Sequence, residues 1–394
     1  MMFIKRLTLL FYCSLFLVNL PASAMTEKPI IVGAEQVSRY LPKLKGKRVA
    51  LVVNQTSKVF DEHLVDFLLK KHIDIKFIFA PEHGFRGNRD AGEKFASSLD
   101  SQTGIPLVSL YGKTRKPSLS IMKQFDVIVF DIQDVGVRFY TYISTMHYMM
   151  EAAADAGIEF IVLDRPNPNG SFIDGPVLEK EFRSFVGMHP IPILHGLTVA
   201  ELAQMIKGEA WLTSKKHLAL TVVKVKNYQR DFAYSLPVKP SPNLPNDQAI
   251  ALYPSLTFFE ATPVSIGRGT PFPFQVIGHD KVNLGSFTFT PVSTLGAATK
   301  PKLMQVKLQG EDLRHVASQG LNLHYLLAWY QAFAKKGLIF FNSPKFMDKL
   351  AGTDKLRKAI ISGQSAQQIK QSWQADIDSF RVKRRPYLLY PDIN

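Results

Sequence analysis

The 394-residue chain has almost no cysteine: its one thiol, Cys13, lies in an apolar run at the start. That excludes a disulfide framework, a cysteine nucleophile in the body of the protein and any cysteine metal site. No G-x-G-x-x-G follows the first strand-like run and no P-loop occurs, so a nucleotide cofactor has no support. The ten histidines are scattered, with no H-x-x-x-H on a helix, and neither a metal nor another cofactor is expected. No basic run is interleaved with aromatics, which argues against nucleic acid as a partner. "RVKRRP" (381–386) reads as a solvated helix end. Beyond the first residues, no apolar run is long enough to cross a membrane.

What is present begins with Lys5 and Arg6, then "LTLLFYCSLFLVNL", then the small residues "PASA" at 21–24. These are the three regions of a secretory signal peptide, with cleavage expected after Ala24 and export to the periplasm or medium. Removing Lys5 and Arg6 takes the formal charge from +15 to +13. For an exported protein this points to an anionic surface or polymer. With 46% hydrophobic residues the chain can bury two cores.

From Gly46 to about Asp164, continuous apolar runs alternate with helical spacing. "KRVALVV", "IKFIFA", "IPLVSLY", "FDVIVFDI" and "EFIVLD" read as strands, and "HLVDFLLKK" and "STMHYMMEAAADAG" as helices, the latter with Ser144 as N-cap and Gly157 as stop. This is the α/β pattern of a mostly parallel sheet covered on both faces. Thr198 and Glu201 form a capping box opening another helix, and "LALTVVKV" reads as a further strand. The texture changes at the proline-rich "LPVKPSPNLPN". The expected division is a signal peptide (1–24), a catalytic α/β domain (25–235) and a smaller α+β domain (236–394). In the last, "KLMQVKLQG" reads as a strand, and "NLHYLLAWYQAFAKK" and "SAQQIKQSWQADIDSF" as helices.

Chemistry-bearing residues gather where the strands run out, the place where open α/β sheets bind ligands. Asn54, Gln55 and Thr56 follow the first strand, and Pro81-Glu82-His83-Gly84 follows the second with Arg86 close behind. Asp131 and Asp134 follow another strand, with Arg138, Tyr140 and Tyr142 next. Asp164, Arg165 and Asn167 follow the last. Glu82 reads as a catalytic carboxyl, against a helix cap or a surface acid. His83 reads as a proton partner, a metal ligand or a structural hydrogen bonder. The two aspartates read as an acid–base pair, a metal site or an anchor for Arg138. From the later part, Asn243, Glu260, Arg268 and Thr270 offer polar groups among aromatics, which suits a sugar. "GRGT" (267–270) is an anion cradle or only a turn.

In order along the chain, "GKRVALVVNQT", "APEHGFRG", "DIQDVGVRFYTY", "LDRPNPNG", "HGLTVAE", "PSPNLP", "FEATPVSIGRGTPFPFQVIG" and "RPYLLY" resemble the motifs of the NamZ-type exo-β-N-acetylmuramidases. The resemblance covers nearly all of the sequence past the signal segment. It implies a Rossmann-like domain followed by a smaller one, with the active site in the cleft between them. It also implies exo-lytic release of N-acetylmuramic acid from peptidoglycan fragments or muropeptides, and a catalytic glutamate falling on Glu82. The relatives often carry Gly where this chain has Ala50.

Glycoside cleavage needs a proton donor at the leaving oxygen and a second group opposite it, and Asp131 or Asp134 is the expected partner. A carboxyl separation of about 5 Å would mean retention and about 6.5–9.5 Å inversion; a third route uses the substrate's own acetamido oxygen. Arg86, Arg138 and Arg268 are candidates for the lactyl carboxylate. The rival readings are a non-catalytic muropeptide-binding protein and a glycosidase of another specificity. An ester hydrolase ranks last, since Ser57, Ser109 and Ser144 lack a nucleophile elbow.

Overall fold

A computed structural model describes residues 28–85, 98–112, 115–317 and 320–392. The expected signal segment with Cys13, and Arg86, lie outside the described residues. From one edge to the other, the main sheet runs Leu220–Val223, Glu159–Leu163, Val127–Asp131, Arg48–Val53, Asp74–Ala80, Pro106–Ser109 and Ser98–Leu99. All neighbours pair parallel except the last, which is antiparallel. Consecutive strands build outward from Arg48–Val53 on one side and then on the other, so the order reverses beside that strand, where such sheets open a crevice.

The strands are continuously apolar because both faces are covered. Val49, Leu51 and Val53 enter one core with Ile75, Val127 and Val129, beneath the helices Val37–Leu44 and Leu64–Lys70. Ala50 and Val52 enter the other with Ile128 and Phe130, beneath Tyr142–Ala156 and Val199–Gly208. The period of two is that of a pleated strand. The second core continues without a break into the later part of the chain through Phe258, Phe259, Trp329, Phe340 and Trp373. The two parts are therefore packed against each other through apolar surface.

The later part holds a three-stranded antiparallel sheet, ordered Val276–His279, Leu308–Asp312, Phe287–Phe289, and a run of short helices. Four sequence expectations need correction. Residues 302–307 of "KLMQVKLQG" precede the strand rather than form it, because Lys302 is drawn aside to bond three carbonyls, those of Phe259, Glu260 and Thr262. "SAQQIKQSWQADIDSF" is two helices, Ala366–Ser372 and Gln374–Arg384, divided at Trp373, whose indole donates to Asp174. The helix read from "STMHYMMEAAADAG" begins at Tyr142 with Thr141 as N-cap, so Ser144 lies inside it and donates to the Phe185 carbonyl at 2.7 Å. Arg384, in "RVKRRP", is buried, bonded to the Gly196 carbonyl and Asp392. Gly157 ends its helix in the left-handed conformation (φ 70°), as its position implied. Thr198 and Glu201 form the expected capping box.

Candidate active site

At the carboxyl end of Asp74–Ala80 the chain makes a tight turn through Pro81–Gly84. His83 (φ 70°) and Gly84 (φ 76°) are both left-handed, a conformation that histidine tolerates better than most residues but still at some cost. The turn aims Glu82 and His83 into a recess of about 70 Å³, whose other walls include Tyr140, Thr141, Tyr142, Asn243, Tyr253 and Arg268. The recess opens into a wider cleft of about 1010 Å³ between the two parts of the chain. Glu82, Phe139, Thr141, Tyr253 and Arg268 line both. Glu82 therefore stands at the junction of an inner chamber and an outer groove.

Two polar neighbours flank Glu82. Thr141 donates its hydroxyl to Glu82 Oε2 at 2.9 Å, and makes no side-chain bond to its own helix although it occupies the N-cap. The Tyr111 phenol lies beside the same carboxyl, and burial, with that carboxylate near it, pushes the phenol up to about 12, so it stays protonated at neutral pH. Neither residue carries a sequence signal: each is a single polar side chain in a loop. Across the cleft, Arg268 Nε donates to Glu260 Oε1 at 2.6 Å, and its guanidinium lies 4.9 Å from the centre of the Phe274 ring. Burial works against the Glu260 charge, but Arg268 and Lys302 prevail and hold its carboxyl below the usual range. Gly267 (φ 81°) and Gly269 (φ 79°) make "GRGT" a turn that presents Arg268, closed by the Thr270 hydroxyl on the Gly267 carbonyl at 2.7 Å.

Asn54, Gln55 and Thr56, read as site groups, form the frame around the chamber and do not line either cavity. Asn54 accepts from the backbone and hydroxyl of Thr56, and Thr56 accepts from the Gln133 backbone. Gln55 donates to the carbonyls of Lys239 and Pro240, and Tyr142 donates to Pro240 at 3.1 Å. The proline-rich stretch is thereby pinned to the strand ends. Asn243, on that stretch, donates to the Ala297 carbonyl at 2.8 Å.

Asp131 is wholly buried and held bidentately by Arg165 at 2.6 and 2.9 Å, so it is a structural ion pair and does not face the cleft. Asp134 is buried too. Its Oδ2 accepts from the Gly136 backbone at 2.7 Å while Oδ1 has no partner, and burial pushes the carboxyl up to about 7. The expected anchoring of Arg138 by an aspartate is also corrected. The Arg138 guanidinium is fully buried and donates to the carbonyls of Pro176, Ile191, Leu350 and Ala351, which removes it from substrate binding. Asp164 accepts from Thr198, the Ala200 backbone and Tyr390, and burial pushes it up to about 7. Asn167 bridges the Asn169 backbone and the Leu197 carbonyl. Asp164 and Asn167 thus fasten loops together rather than meet a ligand. No cluster of metal-ligating side chains occurs among the described residues.

The sequence matches the family model "Exo-beta-N-acetylmuramidase NamZ, N-terminal" over residues 49–248 and "Exo-beta-N-acetylmuramidase NamZ, C-terminal" over 251–390. It is 37% identical over 382 residues to the peptidoglycan β-N-acetylmuramidase NamZ of Bacillus subtilis, with 89% of each chain covered. Two crystal structures of DUF1343 family proteins from Bacteroides fragilis share its fold. One is 45% identical with a TM-score of 0.85, covering 93% of this chain and 100% of that one. The other is 31% identical with a TM-score of 0.79, covering 92% and 99%.

Proposed function

From the match of both family models, the chain belongs to the NamZ exo-β-N-acetylmuramidase family, and we propose how its cleft releases N-acetylmuramic acid from the non-reducing ends of peptidoglycan fragments. The chain is a glycoside hydrolase of the cell wall polymer. Glu82 is the general acid. The observation that carries this is its place at the junction of chamber and groove, oriented by the Thr141 hydroxyl with the Tyr111 phenol beside it.

One carboxylate, Glu82, lines the inner chamber among the described residues. The other cleft carboxylate, Glu260, is committed to Arg268 on the far wall. This favours the route in which the substrate supplies its own nucleophile. Glu82 gives its proton to the glycosidic oxygen as the C1–O bond breaks, and the acetamido oxygen closes on C1 to form an oxazolinium ring. The Glu82 carboxylate then takes a proton from water, which opens that ring and leaves the anomeric configuration retained. A recess of about 70 Å³ between Tyr140, Tyr142 and Asn243 suits a substituent of acetamido size rather than a whole sugar. Among the described residues, the Arg268 side chain donates from Nε alone, which leaves its two terminal nitrogens for the lactyl carboxylate.

Export rests on the n-region, apolar run and "PASA" at the start of the sequence. No helix among the described residues is long and apolar enough to cross a membrane. The test is proton NMR of the anomeric signal during hydrolysis of a β-linked muramic acid glycoside. First release as the β anomer and inhibition by a thiazoline analogue are expected. First release as the α anomer would exclude the acetamido route, and binding of muropeptides without any product would exclude the enzyme reading.

A further inference from the structure

Resting on that reading, we infer that Phe185 is the floor of a subsite for the leaving sugar chain, and that it sets a preference for extended glycans over single-sugar glycosides. The glycosidic oxygen must lie within hydrogen-bond reach of Glu82, about 2.6–3.2 Å. The non-reducing sugar takes the side of the inner recess and Arg268. The rest of the chain has to leave on the opposite side of Glu82. Tyr111 marks that side: it lies beside Glu82 and lines the outer groove but not the recess. Phe185 stands next to Tyr111, with ring centres 5.9 Å apart, edge to face.

The Phe185 ring is held from several directions. Arg115 lies 4.3 Å from its centre, Tyr148 stacks at 6.4 Å, and the Ser144 hydroxyl fixes its carbonyl at 2.7 Å. It is still only half-buried and lines the groove. A rigid, half-buried aromatic ring beside a glycosidase acid offers the surface that Arg115 and Tyr148 leave uncovered to the apolar face of a pyranose. Phe346, an exposed aromatic (39%) on the helix Pro344–Ala351, lines the same groove. A groove of about 1010 Å³ is ample for more than one sugar residue. Binding energy from these remote sugars is available to the transition state only when the leaving group is long enough to reach them.

The experiment compares kcat/KM on a chromogenic muramic acid glycoside, on muramic acid linked to one N-acetylglucosamine, and on a tetrasaccharide, for the wild type, F185A, F185Y and F346A. The wild type is expected to gain with chain length. F185A is expected to lose about tenfold on the tetrasaccharide, and at most about threefold on the chromogenic glycoside. F185Y should keep most of the length dependence. F346A, at an exposed position where folding is not at stake, should flatten it by a smaller factor. A wild type that hydrolyses all three equally well, or an F185A loss that is uniform across them, would overturn the subsite. Failure of the wild type to release muramic acid from any of them would instead overturn the functional reading on which it rests.

Discussion

Arg138 and Asp131 are the residues whose roles change most between sequence and structure. Both sit in "DIQDVGVR", next to groups that do line the chamber, and linear proximity to the site made them candidates. What decides their role is a partner far away in the chain: Arg165 for Asp131, and carbonyls as distant as Ala351 for Arg138. Pairing across strands depends on strand order, which hydrophobic spacing does not carry. Arg138→Ala should therefore cost about 3–5 kcal/mol of stability by leaving buried carbonyls without donors. Urea denaturation checks this. A variant of unchanged stability with a raised KM would return Arg138 to the substrate.

Asp134 gives a second test at this scale. Burial raises its carboxyl to about 7 in the folded chain, against about 3.9 in the unfolded one. Between those values the folded state binds more protons, so this group's contribution to stability is complete at the acid end and is lost as pH rises toward 7. Asp134→Asn keeps an acceptor for the Gly136 backbone and removes the titration. The difference in thermal midpoint, variant minus wild type, should grow more positive from pH 5 to pH 8. A difference that stays constant over that range would contradict the buried-carboxyl account.

At the scale of elements, the strands were legible because a sheet covered on both faces leaves continuous apolar runs, and the polar turns after them were legible by contrast. The Glu82 turn was found in this way. Thr141 and Tyr111 were not, since a threonine or tyrosine in a loop looks the same whether it orients a carboxyl or faces water. The proline-rich stretch read as a boundary, but its structural part is to carry Asn243 and to receive Gln55 and Tyr142 at Pro240. It couples the strand ends of the first part to the Ala297 loop of the second. Asn243→Ala should release that loop from the groove wall, lowering kcat/KM by about tenfold while shifting the thermal midpoint by only a few degrees. Unchanged kinetics would show that the contact does not shape the site.

For the whole molecule, the continuous core across the two parts makes the groove a fixed feature of the fold rather than a gap between independent bodies. The formal charge of +15 fits an anionic polymer as substrate. Capture of long wall fragments should weaken as ionic strength rises past about 0.15 M, where charges are screened within about 8 Å. Turnover of a small chromogenic glycoside should respond less. Equal salt dependence for both would argue that net charge has no part in recognition.

The central claim is that Glu82 hands its proton to the departing sugar, and leaving-group dependence tests it most directly. Glu82→Ala should lose at least about a thousandfold in kcat/KM on a muramic acid–N-acetylglucosamine disaccharide, whose leaving oxygen needs protonation, and far less on a dinitrophenyl glycoside, whose leaving group does not. Equal losses on the two substrates, or near-normal turnover of the disaccharide, would show that the proton comes from elsewhere.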